Sequence, residues 1–276
     1  MLRYKAGSSG QEINLSNGCI RSRLKTAGFR EYSWEVESIE RKIGSSVSGF
    51  KKKAKEYTLE IDFCGTKSER AEAVNQLCKI TESDILNTIA GRLYLDEYYI
   101  NCFVIGMEIG KTENPYRKVQ KKAKIYAPYP FWIREHPYYF KSSEITSTDN
   151  KRYAGKYAYR YANGLTNTAI TNEHYAECNF RLIVYGPCTQ PSIYIGGYEY
   201  RFNIALQEGE YLEVDSAEET VTKYMKSGVK INAFNNRNFK NSVFQPIQTG
   251  RQEVSWNGRF DFDIIMYEER SEPKWS

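Results

Sequence analysis

The residues in this chain that could do chemistry are two pairs of carboxylates. Glu213 with Asp215, and Asp261 with Asp263, each lie two positions apart in stretches that alternate apolar and polar side chains. On a strand that spacing puts both carboxylates on one face, about 7 Å apart, within the range of carboxyl separations that glycosidases use. The same alternation, with Phe260, Phe262 and Ile264 interleaved, also describes the polar face of a half-buried strand, and that is the preferred reading. Nucleophilic catalysis has less support. No GxSxG elbow occurs, His136 is followed at once by Pro137 in an apolar context, and His174 sits in the polar turn Asn172-Glu173-His174-Tyr175. Trp132, Trp256 and Trp275 have the flat faces that stack on sugar rings, although an aromatic on an alternating strand is more often part of a core.

Metal and cofactor chemistry are also without a motif. Cys19, Cys64, Cys78, Cys102, Cys178 and Cys188 are scattered, with no CxxC pair and only two histidines beside them, so zinc spacing is absent. An even cysteine count is compatible with disulfides. The polar start from Met1 to Gly10 lacks the apolar run of a secretion signal, which favours reduced thiols and synthesis in a cytoplasm. No stretch approaches the ~18 apolar residues of a membrane span, and no glycine pattern that cradles phosphate precedes a helix. Neither an enzymatic activity nor a cofactor is expected.

The elements that would position these residues are mostly strands. Tyr57, Leu59, Ile61 and Phe63 alternate with Thr58, Glu60 and Asp62, and Trp34 and Val36 begin a similar pattern; both read as half-buried strands. Between them, Ile43 to Lys55 is rich in Gly, Ser and Lys, the composition of a long hairpin arm or surface loop. After a cap at Thr66 or Ser68, the apolar positions Ala71, Val74, Leu77 and Cys78 fall three and four apart, predicting the one main helix near 67–82. Strands are predicted at Gly91–Leu95, Tyr98–Ile109 and Lys118–Ala127, the middle one buried on both faces because of its run Cys102-Phe103-Val104-Ile105. Pro128, Pro130 and Pro137 interrupt the aromatic segment Tyr126 to Phe140 and mark a domain junction, giving domains 1–128 and 129–276.

Beyond the junction, Ser142 to Lys151 reads as a loop and Tyr153 to Ala162 as a surface strand. Phe180, Leu182 and Val184 alternate, Gly196-Gly197 is a hairpin turn, Glu210 to Asp215 pairs with Glu219 to Tyr224, and Asn257-Gly258 turns the chain into Phe260 to Tyr267. Many short strands at this spacing predict a β-sandwich or barrel. The fold class is therefore mainly β with one helix. With 276 residues, 23 Tyr and a net charge of +5, the chain is long enough for two cores and only mildly basic. Its cluster Lys51, Lys52, Lys53 and Lys55 reads as a solvated loop or an interface rim ahead of a phosphate-binding patch.

Ile193-Tyr194-Ile195-Gly196-Gly197-Tyr198-Glu199-Tyr200, then Glu210 to Ser216 and Thr220 to Lys223, resemble in kind and order the C-terminal domain of siphophage distal tail proteins. The ending adds Phe244-Gln245-Pro246-Ile247, Glu253-Val254-Ser255-Trp256-Asn257-Gly258, Phe260-Asp261-Phe262-Asp263 and Tyr267 to Trp275. The resemblance implies a tail-tube-like N-terminal domain, assembled as a ring of six copies, and a galectin-like sandwich. It further implies a non-enzymatic virion hub between the tube and the tail-tip or baseplate and receptor-binding proteins, with a channel for DNA in transit. The segment with Ile43, Lys51, Lys52, Lys53 and Lys55 would then be an inter-subunit arm, its lysines outside the lumen or at a subunit contact, since attraction to DNA would slow passage. Trp275, two residues past Pro273, is expected to anchor the terminus as a buried aromatic. A competing expectation is a module that binds host glycans directly, with Trp132 and Trp256 stacking on the sugar.

Overall fold

Alternating sequence becomes covered strand wherever neighbours are available on both sides. The structure, a computed structural model, describes residues 1–110, 118–142 and 168–275. The strand expected at Tyr153 to Ala162, and nearly all of the loop expected from Ser142, lie outside the described residues. The chain divides into one unit of Met1–Arg134 with Glu269–Ser276 and another of Glu135–Glu268.

In the first unit, Lys55–Cys64 pairs along its length with Lys118–Ala127 and, on its other edge, with Ile20–Arg23. Tyr57, Leu59, Ile61 and Phe63 face the core, as their period requires. Tyr98–Ile109 pairs with Gly91–Leu95 through its first half and with Lys118–Ala127 through its second, so one long strand serves two sheets. Leu2–Lys5 and Glu12–Asn14 extend the sheet beyond Gly91–Leu95. These three long-predicted strands have the expected bounds. Both faces of Tyr98–Ile109 are buried only at its start, from Tyr98 to Ile100, and not through the run that ends at Ile105. A register shift between Val104 and Gly106 is a bulge that turns a side chain outward, and Ile105 is exposed.

The helix spans Lys67–Leu86. Thr66 caps it: its hydroxyl accepts from the Glu69 backbone N–H, and the Glu69 carboxylate accepts from the Thr66 backbone N–H at 2.7 Å, a reciprocal box that satisfies two otherwise orphaned donors. The buried stripe is Arg70, Leu77, Ile80, Thr81 and Asp84; Ala71, expected on it, is exposed. The polar members are all engaged. Arg70 donates to the Gly65 carbonyl at 2.8 Å and Thr81 to the Leu77 carbonyl at 2.9 Å. Asp84 accepts from the Tyr4 hydroxyl at 2.6 Å, the Ser8 hydroxyl at 2.6 Å and the backbone N–H groups of Ser8 at 2.8 Å and Gly7 at 3.2 Å. Burial and the Asp84 hydrogen bond push the Tyr4 phenol far above its ordinary pKa. The last turn of the helix is thus tied to the loop after Leu2–Lys5.

The second unit is a sandwich. Asn179–Tyr185 pairs on one side with Tyr211–Asp215, which pairs onward with Thr220–Tyr224 and Lys230–Asn232, and on the other side with Phe262–Arg270. The facing sheet runs Thr168–Asn172, Gly250–Trp256, Ser192–Ile195, Tyr198–Arg201. Phe180, Leu182, Val184, Leu212, Val214, Phe262 and Ile264 from the first sheet share a core with Ile170, Ile193, Ile195, Tyr200, Val254 and Trp256 from the second, the interdigitation that defines a β-sandwich. Gly196 (φ +58°) and Gly197 (φ +83°) form the predicted hairpin turn, which requires positive φ at both positions. Asn257-Gly258 does not close a hairpin. Gly250–Trp256 and Phe262–Arg270 lie in different sheets, so this turn carries the chain across the sandwich, and the Trp256 indole N–H donates to the Phe260 carbonyl at 3.1 Å to hold it.

Candidate assembly surface

The segment read as an arm is a hairpin of Glu35–Glu40 and Ser45–Lys51 that, among the described residues, pairs only with itself. It begins before Ile43, which sits at its turn and is exposed. Val36 lies opposite Phe50 and, past a register shift between Glu37 and Ser38, Ser38 lies opposite Val47; the bulge brings Val47 onto the face of Val36 and Phe50. All three are open to solvent, at 56%, 55% and 62%. The half-burial expected for Trp34 and Val36 is therefore not seen, because among the described residues no second sheet covers this face. Isolated two-stranded ribbons are marginal in water.

The four lysines are individually engaged. Lys51 pairs with Glu37, and Lys53 with Glu35 at 2.7 Å. Lys55 donates to the carbonyls of Gly28 and Glu31 and lies 4.7 Å from the Tyr57 ring centroid. Lys52 sits in an aromatic cage at the arm's root: its ammonium is 4.0 Å from the Phe131 ring centroid, 5.3 Å from Trp34 and 5.9 Å from Tyr32, and donates to the Ser271 hydroxyl at 2.9 Å. Burial, reinforced by repulsion from Lys55, pushes Lys52 down to about 8, while the ring faces favour its charged form. The cage fastens the arm's root to the body of its own unit. Sequence reading missed Tyr32 and Phe131; the signal for Phe131 was the aromatic run from Tyr126 onward, read as a junction only, and for Tyr32 its place two residues before Trp34.

Trp275 is not the buried anchor expected. It is 72% exposed, with the Arg30 guanidinium 4.2 Å from its ring centroid. The fastening is done by Pro273, which is buried and whose carbonyl accepts from Arg30 at 2.9 Å. Trp132 and Trp256 are corrections of the opposite kind. Both are buried, Trp132 edge-on to Phe29 and Trp256 edge-on to Phe140 and Phe262, so neither offers a face to a sugar.

The carboxylates are spent on structure. Asp263 accepts from the Tyr185 hydroxyl at 2.7 Å, Glu213 from Tyr224 at 3.3 Å and Asp215 from Tyr267 at 2.9 Å. Asp261 accepts from the Ser142 backbone N–H at 2.6 Å, which holds its carboxyl below the usual range. Burial and Asp263 push the Tyr185 phenol up to about 12. His136 contacts Glu268 at 2.9 Å and His174 packs on Tyr175. Among the described residues no cluster of His, Cys, Asp and Glu could hold a metal ion, and no helix is long and apolar enough to cross a membrane. One cleft in the sandwich, of about 410 Å³, is lined by Tyr198, Tyr200, Gln245, Gln248 and Gln252 among others. Sequence reading did not single it out, although Tyr198-Glu199-Tyr200 follows the two-glycine turn directly.

Neither a protein-family model nor a curated protein matches this chain. Solved structures do. The crystal structure of the SPP1 Dit protein, described as a paradigm of the hub adsorption apparatus in phages that infect Gram-positive bacteria, matches with a TM-score of 0.57 and 11% identity over 98% of this chain and 99% of that one. The phage P2 baseplate in its activated conformation with Ca matches at a TM-score of 0.63 and 13% identity, and with Sr at 0.57 and 14%, each over 99% of this chain and 100% of the matched chain. From end to end, the chain has the mainly β fold of the SPP1 Dit hub protein and of a phage P2 baseplate component.

Proposed function

We propose that this chain is a distal tail protein, a structural hub of a phage tail tip. In this reading the first unit closes into a ring of six copies that continues the tail tube. The galectin-like sandwich serves the tail-tip, baseplate and receptor-binding proteins, and the ring leaves a channel for DNA in transit. The protein is made in the cytoplasm of the bacterial host and works in the virion. The observation that carries the reading is the arm, an apolar ribbon face of Val36, Val47 and Phe50 held out from a rooted base on a fold shared with hub and baseplate proteins. Its occupant is a second copy of the same chain. Closed rings need heterologous contacts, in which one surface meets a different surface of the next subunit, and a projecting ribbon supplies one half of such a contact. Negative-stain imaging and native mass measurement with the neighbouring tail proteins present should show rings of six with a central channel; monomers alone under those conditions would refute the hub. Monomers without partners would not, because ring closure can depend on a template.

A second reading, direct binding of host glycan, draws on the cleft beside the half-buried Tyr198, where its ring and the side chains of Gln245, Gln248 and Gln252 line one concavity. Rings with adjacent hydrogen-bonding groups suit a sugar's apolar face and hydroxyls. A glycan array with wild-type protein and a Tyr198→Ala variant decides it: binding lost in the variant supports this reading, and an array without signal removes it.

A further inference from the structure

Cys19 and Cys64 face each other across the edge of the first unit's sheet. The ladder between Ile20–Arg23 and Lys55–Cys64 pairs Ile20 with Phe63 and Arg21 with Asp62, and one step further it sets Cys19 opposite Cys64. The Cys64 backbone N–H donates to the Cys19 carbonyl at 2.7 Å, and the Cys19 thiol lies against the Cys64 carbonyl. Directly opposed, hydrogen-bonded residues of antiparallel strands have Cα atoms ~5.5 Å apart, inside the ~4.4–6.8 Å range of disulfides. Their Cβ atoms, at the longer end of the ~4.5–5.5 Å range for a hydrogen-bonded pair, must approach by roughly 1–2 Å to reach disulfide geometry. That adjustment falls where the ladder ends, between Gly18 at φ +69° and Gly65 at φ +103°. Both thiols are partly exposed and free.

The other cysteines are placed differently. Cys102 is fully buried and its thiol is pushed up to about 12; burial pushes Cys188 up to about 11. Cys178 is buried with its thiol on Asn172, and Cys78 lies beside the Met107 sulfur. In register, Cys102 faces Gly91 and Cys188 faces Leu206.

The geometry points to Cys19 and Cys64 as a dithiol site that closes to a disulfide on meeting a small disulfide oxidant such as oxidised glutathione. One protein thiolate attacks the oxidant, forming a mixed disulfide and releasing one glutathione thiolate. The second protein thiolate displaces the remaining glutathione. Two protein thiols are oxidised, one oxidant disulfide is reduced to two thiols, and the two protons pass to them. The new bond joins positions 45 apart in sequence and encloses the whole arm, so oxidation constrains the segment proposed for assembly; the site itself does not depend on the hub reading.

The test is peptide mapping of the full chain after incubation with excess oxidised glutathione at mildly alkaline pH and alkylation of the remaining thiols. A Cys19–Cys64 linked peptide, two hydrogens lighter, is expected before any adduct on Cys78 or Cys188. The thermal midpoint should rise by several degrees and fall back with dithiothreitol, because closing a long loop restricts the unfolded chain. Cys19→Ser should leave Cys64 carrying unresolved glutathione, with no rise in midpoint. Stable glutathione adducts on both wild-type cysteines, linkage through other cysteines, or both thiols fully alkylated would each overturn the site. The mapping of the wild-type chain stands whether or not the variant folds.

Discussion

The arm and the strand Phe262–Arg270 are both extended segments that carry an apolar face, and they end in opposite environments. Phe262, Ile264 and Met266 are buried against the facing sheet, and Phe262 stacks on Phe140 at 4.5 Å. Val36, Val47 and Phe50 face solvent from a ribbon of only two strands. Alternation dictates an extended strand with an apolar face; whether that face is covered depends on how many other strands fold over it. A covered face stabilises its own unit, whereas an uncovered one stabilises whatever it meets.

Substitutions that separate covered from uncovered faces should span a wide range of effects. Phe262→Ala, which removes a ring packed on Phe140 and Trp256, should cost about 3–5 kcal/mol, read from a denaturant midpoint; a loss below about 1 kcal/mol would mean the sandwich face is not what holds this strand. Asp84→Ala should cost about 3 kcal/mol, since it strands the Tyr4 hydroxyl and the Gly7 and Ser8 N–H groups without an acceptor. Ending the chain at Arg270 removes the Pro273 carbonyl from Arg30 and the Ser271 hydroxyl from Lys52, for an expected ~1–2 kcal/mol. Trp275→Ala alone should cost ~0.5–1 kcal/mol, the scale of an exposed cation–π contact; a larger loss would restore the buried-anchor view.

Lys52 gives a pH signature. The folded chain releases its proton near 8 and the unfolded chain near the ordinary 10.5, so between those values the unfolded state holds more protons and stability rises with pH. Below 8 both states are protonated and the penalty is constant. Half exposed and screened, the gain should stay under about 1 kcal/mol, and Lys52→Met should flatten it; an unchanged slope would show that other groups set it. The smallest effect on the isolated chain belongs to the arm. Val36→Ser combined with Phe50→Ser should leave the thermal midpoint within the ~0.5 kcal/mol typical of surface changes, yet abolish ring formation. Rings of normal mass from that variant would make the arm a tolerated surface ribbon.

The long strands were legible because their apolar positions keep strict period 2 over full hydrogen-bonded neighbours: Tyr57 to Phe63 and Phe180 to Val184 read directly as core. The Gly196-Gly197 turn was legible for a local reason, the positive φ that both positions need. The helix was found with Val74 and Leu77 rightly on its core side, but Ala71 is exposed and the polar Arg70, Thr81 and Asp84 face inward, which apolar spacing alone does not reveal. Bulge placement at Ile105, the burial of Trp132 and Trp256 and the exposure of Trp275 all depend on which strands fold over which, and no local pattern encodes that. The Lys52 cage joins residues 32, 34, 52, 131 and 271, a separation beyond any periodicity argument.

The arm's seven-residue strand Ser45–Lys51 spans about 23 Å at strand rise, and its root is clamped while its far end is free of its own unit. In the ring proposed above, a clamped ribbon of that length would bridge a gap without requiring the two bodies it joins to touch. Neighbouring bodies would then tilt and separate by a good part of that reach while the strap stays seated, so the opening they surround would change width without the circle breaking.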